Sequence, residues 1–152
     1  MATSPTTDLF DAIAAGAAAE SPLWGEALRS DPERGAVFGA LVPERFALGV
    51  ETIYEGYLLH FGSSRLFAPP DDDVALLLGD YLYAHGLVHI AGTGEIDAVA
   101  ALAELISTCA ALRAVSASDD SAAWLDCIRR LGGAPAADAV ERARAAHAQR
   151  VG

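Results

Sequence analysis
The sequence predicts an all-α protein. Apolar stretches are punctuated by helix-start signals, Ser, Thr or Asp ahead of Pro or an apolar run, and by glycine stops. No segment sustains the period-two alternation with β-branched residues that a sheet needs. A hydrophobic content of 53% and a mean hydropathy of +0.29 are enough to fill a helical core. At 152 residues the chain suits one domain, 1–152.

Taken in order, Thr6 or Thr7 caps a first helix running through Glu20, and Ser21-Pro22 reads as a second cap with proline at the first helical position. The same grammar at Ser30-Asp31-Pro32 predicts another start. After Pro43 an amphipathic run from Glu44 to about Gly62 sets Phe46, Val50, Ile53, Tyr57 and Leu58 near one stripe, and Gly62-Ser63-Ser64 breaks it. Pro69-Pro70 and Asp71-Asp72-Asp73 open a long helix to about Ala91, which Gly92-Thr93-Gly94 ends. Glu95 to Val115 is a further apolar helix. Ser118-Asp119-Asp120 caps a segment ending at Gly132-Gly133, and Pro135 starts a last helix rich in Ala and Arg. The expected architecture is an antiparallel helical bundle. Its best transmembrane candidate, Val74 to Ala91, contains Asp80, His85 and His89, which are costly in lipid. It is therefore read as a buried helix, with no membrane span expected, and the polar, Asp-containing N-terminus shows no targeting signal.

Charge narrows the function classes. Against 21 acidic residues stand 10 basic ones, a formal charge of −11, which argues against nucleic acid because phosphates demand clustered cations. Every basic residue is Arg, so neither a Schiff-base lysine nor a lysine phosphate anchor exists. Cys109 and Cys127 make neither a disulfide framework nor a four-ligand zinc site. They read as buried structural thiols, and a reducing cytoplasm is the expected compartment.

Several groups invite a chemical reading. Asp71-Asp72-Asp73 resembles a Mg²⁺-diphosphate chelate but lacks the third carboxylate at the required spacing, so it reads as acids complementing a helix dipole. His85 and His89 sit one turn apart, with Tyr81 a turn earlier. They can hold Zn²⁺ only with a third ligand that neither His60 nor His147 is placed to supply. Glu51 and Glu55 share a face, yet no Glu-x-x-His follows, which disfavours a di-iron bundle, and Glu55 reads as solvated. Neither a nucleophile elbow nor a glycine-rich phosphate loop is present.

Three segments, in order, resemble the trans-isoprenyl (polyprenyl) diphosphate synthases. Glu51-Thr52-Ile53-Tyr54-Glu55-Gly56-Tyr57-Leu58-Leu59-His60 is similar to the helix just before that family's first Asp-rich motif, with Glu51, Leu58 and His60 matching and Tyr54 standing where His is usual. Leu78-Gly79-Asp80-Tyr81-Leu82-Tyr83-Ala84 is similar to the family's Gly-Asp helix and is the most specific of the three. Trp124 to Arg130 resembles the segment that precedes a diphosphate-contacting Lys-Thr. The resemblance spans about residues 36–140 and implies the N-terminal half of the isoprenoid synthase fold.

The departures shape the function that the resemblance implies. After His60 the family carries Mg²⁺-binding aspartates, whereas here Phe61-Gly62-Ser63-Ser64 follows, and Leu131-Gly132 replaces the Lys-Thr. The second Asp-rich motif and the isopentenyl site have no counterpart. Without metals nothing stabilises the leaving diphosphate, so no catalytic residue is expected and Mg²⁺ belongs only to a catalytic partner. A short, motif-less chain is similar to the small subunit of two-component hexaprenyl and heptaprenyl diphosphate synthases, which serves quinone side-chain or related isoprenoid synthesis. That likeness implies a regulatory subunit that stabilises the catalytic one and helps set product length. On it, Tyr54, Leu58, Leu77, Tyr81, Ala84 and Val88 line the partner interface or the elongation tunnel, though each also reads as an ordinary core residue. Glu51, His60, Gly79 and Asp80 are motif positions, Asp80 being expected as a buried helix-pairing residue. Two other expectations stand beside this one: a stand-alone homodimeric scaffold or lipid-binding protein derived from that fold, and a metal-using helical enzyme built on His85 and His89.

Overall fold
The computed structural model describes residues 5–117 and 119–151, with residues 5–8 described in backbone only. Among them are seven α-helices: α1 Pro5–Glu20, α2 Pro22–Glu26, α3 Glu44–Phe61, α4 Asp72–Ala91, α5 Ile96–Ala114, α6 Ser121–Arg130 and α7 Ala137–Val151. A 3₁₀ turn spans Gly39–Leu41, and one isolated antiparallel bridge joins Leu28 to Phe67. The chain is all-α.

Local chemistry explains most of the boundaries. The Ser21 hydroxyl accepts from the Leu23 N–H, with Pro22 opening α2. Asp71 Oδ1 accepts from the Val74 N–H at 2.9 Å, and Asp72 and Asp73 occupy the first turn of α4, where carboxylates complement the dipole. Asp120 precedes α6, while Asp119 Oδ1 accepts from the Ser121 N–H at 2.9 Å; Ser118 lies outside the described residues. α1 begins at Pro5, so Thr6 and Thr7 lie inside it rather than capping it.

The start expected at Ser30-Asp31-Pro32 is not a helix. Residues 27–33 lie beside 65–68, with Arg29 N–H to Leu66 C=O at 2.8 Å, Glu33 N–H to Arg65 C=O at 3.0 Å and Ala68 N–H to Ala27 C=O at 2.7 Å. The neighbouring segment supplies partners for these backbone groups, among them the Glu33 N–H, which in the first turn of a helix would have had no backbone partner.

α3 is the central helix, with residues 46–58 almost wholly buried. It packs antiparallel on α4, since Gly49 lies against Gly86 and Ile90 while Gly56 lies against Gly79 and Tyr83. These glycines let the two backbones approach closely. A Cβ at Gly56 would sit 2.8 Å from the Gly79 carbonyl oxygen, and one at Gly49 would sit 2.4 Å from Ile90 Cδ1. Each mid-helix glycine costs about 1 kcal/mol in intrinsic propensity, which this contact offsets. Two apolar clusters flank the pair. One gathers Phe38, Phe46, Ile53, Tyr54, Leu102, Trp124 and Ile128, and the other sets Phe10, Ile13 and Ala17 of α1 against Leu66, Phe67, Leu78 and Leu82.

Candidate functional site
Three features hold the polar and apolar groups that any function must use. The first is a buried ion cluster at the middle of α3. One helical turn separates Glu51 from Glu55, so both carboxylates leave the same face, and the bend after α3 brings Arg65 between them. Arg65 donates through Nη1 to Glu51 Oε1 at 2.5 Å and to the Gly35 carbonyl at 2.8 Å, and through Nε to Glu55 Oε1 at 2.7 Å. The Gly39 N–H and the Arg65 N–H add bonds to Glu51 and Glu55 at 2.8 and 3.1 Å, and the Ser64 hydroxyl donates to Glu55. The guanidinium also lies over the rings of Phe10 and Tyr54 at 4.7 and 5.0 Å. Burial lowers the Arg65 pKa, but the two carboxylates overcome that and raise it above the usual guanidinium value. Glu55 is thus fully buried, not solvated, because it meets a cation the sequence spacing did not point to.

A second network joins helices distant in sequence. Tyr54 OH lies 2.8 Å from His147 Nδ1, and His147 Nε2 lies 2.7 Å from Asp120 Oδ1. Tyr57 donates to Asp120 Oδ2, which also accepts from Arg113 Nε at 3.2 Å, while Arg113 Nη2 donates to the Tyr57 oxygen at 2.6 Å. A carboxylate can only accept, so His147 Nε2–H donates to Asp120, while the phenol of Tyr54 can serve Nδ1 as either donor or acceptor. Burial alone would raise the Asp120 pKa, yet the bonds from His147 and Tyr57 bring it down to about 2. Burial, the largest influence on Tyr54 and Tyr57, pushes both phenols up. The Tyr-His-Asp order has the connectivity of a proton relay. However, Tyr54 and Tyr57 have no exposed surface, Asp120 and His147 retain only 2%, and their protons and lone pairs bond to one another. Geometrically it is a clasp that ties α7 and the start of α6 to α3.

The third feature is the outer face of α4, where Leu76, Leu77 and Val88 are 55%, 54% and 63% exposed. Ala84 and Asp80 are exposed beside them, and half-buried Tyr81 packs against Trp24 at 6.1 Å between ring centroids. Asp80 is therefore not a buried helix-pairing residue. It stands at the surface with His60 Nε2 at 3.3 Å, while the His60 ring lies where a Gly79 side chain would be. Only 33% of α4's apolar window is buried, so α4 is not the buried helix expected, because α3, with α1 and α5 at its flanks, leaves the outer face open. Among the described residues it is the one helix long and apolar enough to cross a membrane, by length and composition alone.

Of the residues expected at an interface or tunnel, Tyr54 and Leu58 lie wholly inside the chain's own core. Leu77, Ala84 and Val88 share the outer face of α4, with Tyr81 at its edge. Glu51 belongs to the ion cluster, and Gly79 is the close-contact point for His60. His85 stacks between Tyr81 and His89, at 5.3 and 4.6 Å. No group of three His, Cys, Asp or Glu side chains converges to hold a metal among the described residues. Burial pushes the Cys109 and Cys127 thiols up to about 12 and about 11, so they are inert at neutral pH. A cleft of about 570 Å³ between the starts of α3 and α5 and the end of α6 contains two arginines. Both are already paired, Arg45 with Glu95 and Arg130 with Glu104.

Arg65, Arg113, Asp120 and His147 carry the buried chemistry, and sequence reasoning did not assemble them. Their partners lie 7 to 93 residues away and on other segments, beyond any local periodicity. Trp24 was likewise missed, its only signal being an aromatic in a short proline-started helix. Comparison with family models, curated proteins and solved structures found no match.

Proposed function
We propose that this chain is a non-catalytic helical subunit that docks through the outer face of α4 onto a motif-complete polyprenyl diphosphate synthase, steadying that partner and helping to set product length. The observation that carries the reading is the one-sided packing of α4, which leaves Leu76, Leu77, Ala84 and Val88 uncovered. Two further observations agree with it. The reactive-looking groups are engaged with one another inside the chain, and the segments resembling the synthases lack the metal-binding aspartates that ionisation of an allylic diphosphate requires. The prospective contact surface narrows to Leu77, Tyr81, Ala84 and Val88, since Tyr54 and Leu58 offer nothing to a partner. On this reading Mg²⁺ resides on the catalytic partner, the complex works in the cytoplasm, and its product feeds quinone side chains or related isoprenoids.

The test is co-expression with the motif-complete synthase of the same genome, followed by co-purification and product assay with each chain alone as control. A mixture that makes a longer product, or is active where the large chain alone is not, supports the reading. Chains that neither co-purify nor change product length or rate would sink it.

A further inference from the structure
The outer face of α4 carries a charge pattern that selects its occupant. At 100° per residue, Leu77, Ala84 and Val88 fall within an arc of about 40°, with Tyr81 just beyond on one side. On the other side Asp73 and Asp80 follow directly, and Leu76 lies past them. The carboxylates thus run down the middle of the exposed apolar face rather than along its rim. Among the described residues Asp73 has no ion-pair partner, and Asp80 has only His60 at 3.3 Å. Among the described residues no arginine lies within ion-pair distance of either.

That arrangement disfavours two occupants. A second copy laid against it would bring its own Asp73 and Asp80 into the same contact, between chains that each carry a net charge of −11. A bilayer would have to take up two aspartates in its interior. What remains is a surface that supplies both apolar area and cations. Asp73 and Asp80 are seven residues apart, which is about 10 Å along the helix axis. We infer that the partner covers α4 with an apolar helical face bearing two arginine or lysine side chains about 10 Å apart, set to meet Asp73 and Asp80. This rests on the proposed docking of α4 and adds the chemistry of what docks there.

Two helical peptides of about 20 residues serve as probes. Both carry the same Leu/Ala stripe, one with Arg and the other with Glu at two positions seven apart within it. Binding is read from Trp24 fluorescence in the full chain and in its Trp124→Phe variant, and self-association from light scattering at high micromolar concentration. The Arg peptide is expected to bind, more weakly as salt rises, and Asp73→Asn/Asp80→Asn should reduce its affinity about tenfold, with the thermal melt lowered only by the few degrees that losing the Asp73 carboxylate from the first turn of α4 costs. The same double variant should raise self-association of the chain. Equal binding of both peptides, binding of neither, a stable wild-type dimer, or uptake into phosphatidylcholine vesicles would each overturn the inference. If the synthase fails to co-purify while the Arg peptide binds, the synthase reading fails and this one stands. Co-purification that is indifferent to the double variant has the opposite meaning.

Discussion
Arg65→Met is the sharpest test of how this fold is held. The replacement keeps most of the side-chain volume among Phe10, Tyr54 and the two glutamates, so little cavity forms, and what disappears is the charge with its hydrogen bonds. Two of those bonds run to carboxylates, at 2.5 and 2.7 Å, and one to a carbonyl at 2.8 Å. Charged hydrogen bonds contribute about 1.5–3 kcal/mol each, and breaking a buried pair by removing one partner costs about 3–5 kcal/mol. The two estimates converge on a loss of about 4 kcal/mol. With a urea dependence of about 2 kcal/mol per molar, the unfolding midpoint followed by circular dichroism should fall by about 2 M. Adding Glu51→Gln and Glu55→Gln removes the stranded carboxylates and should recover more than half of the loss. A single-variant loss below about 1 kcal/mol, or a triple variant no more stable than the single, refutes the claim that this cluster is an energetically coupled unit.

Two further outcomes follow from the same structure. Because Asp120 is held at about 2 when folded against 3.8 ordinarily, it contributes stability fully above the unfolded value, and that contribution fades as pH falls from about 4 toward 2. The shift corresponds to about 2 kcal/mol, so Asp120→Asn should be less stable at neutral pH and lose less on acidification, read as urea midpoints across that range. At the helix crossing, Gly56→Ala places a methyl 2.8 Å from the Gly79 carbonyl and should destabilise by about 1–3 kcal/mol. Gly16→Ala meets nothing closer than His85 Nε2 at 3.8 Å and should instead stabilise by about 0.5–1 kcal/mol, so thermal melts moving the same way for both would contradict the packing described.

What the sequence made legible was local. Helix starts at Pro22 and Asp71, stops after Phe61 and Ala91, and the inward stripe of α3 all depend on residues within a few positions of each other. The failure at Ser30-Asp31-Pro32 has the complementary cause. A start signal states only what the segment can do alone, and here the 65–68 backbone offered the competing hydrogen bonds. Glu55 was misjudged for the same reason, since an isolated glutamate on a helix reads as solvated until a cation from a later loop is placed beside it. Asp80 erred in the opposite direction. Its place in an apolar helix suggested burial, but hydrophobic content cannot reveal that the neighbours of α4, chiefly α3 with α1 and α5 at its flanks, leave its outer face open.

The distribution of polar and apolar groups inverts the usual arrangement in two places, and the inversions have different consequences. Inside, Glu51, Glu55 and Arg65 in one cluster, and Tyr57, Asp120 and His147 in the other, replace apolar contacts that would stabilise about as well. What the polar groups add is register. Among the described residues α7 fully buries Ala143 and His147, with Val140, Ala146 and Val151 half-buried against the core, and a contact of such small side chains specifies register weakly. The His147 bonds to Tyr54 and Asp120 are satisfied in one position alone, and the Ser63 N–H bond to the Arg150 carbonyl at 3.0 Å fixes the same position a second time. Outside, Leu76, Leu77 and Val88 leave apolar surface in water on α4, a helix that the interior networks do not bond. A frame fixed in register, with a helix whose outer face is left open, is suited to presenting that face to another molecule. The carboxylates of Asp73 and Asp80 along it then discriminate among the surfaces that come near.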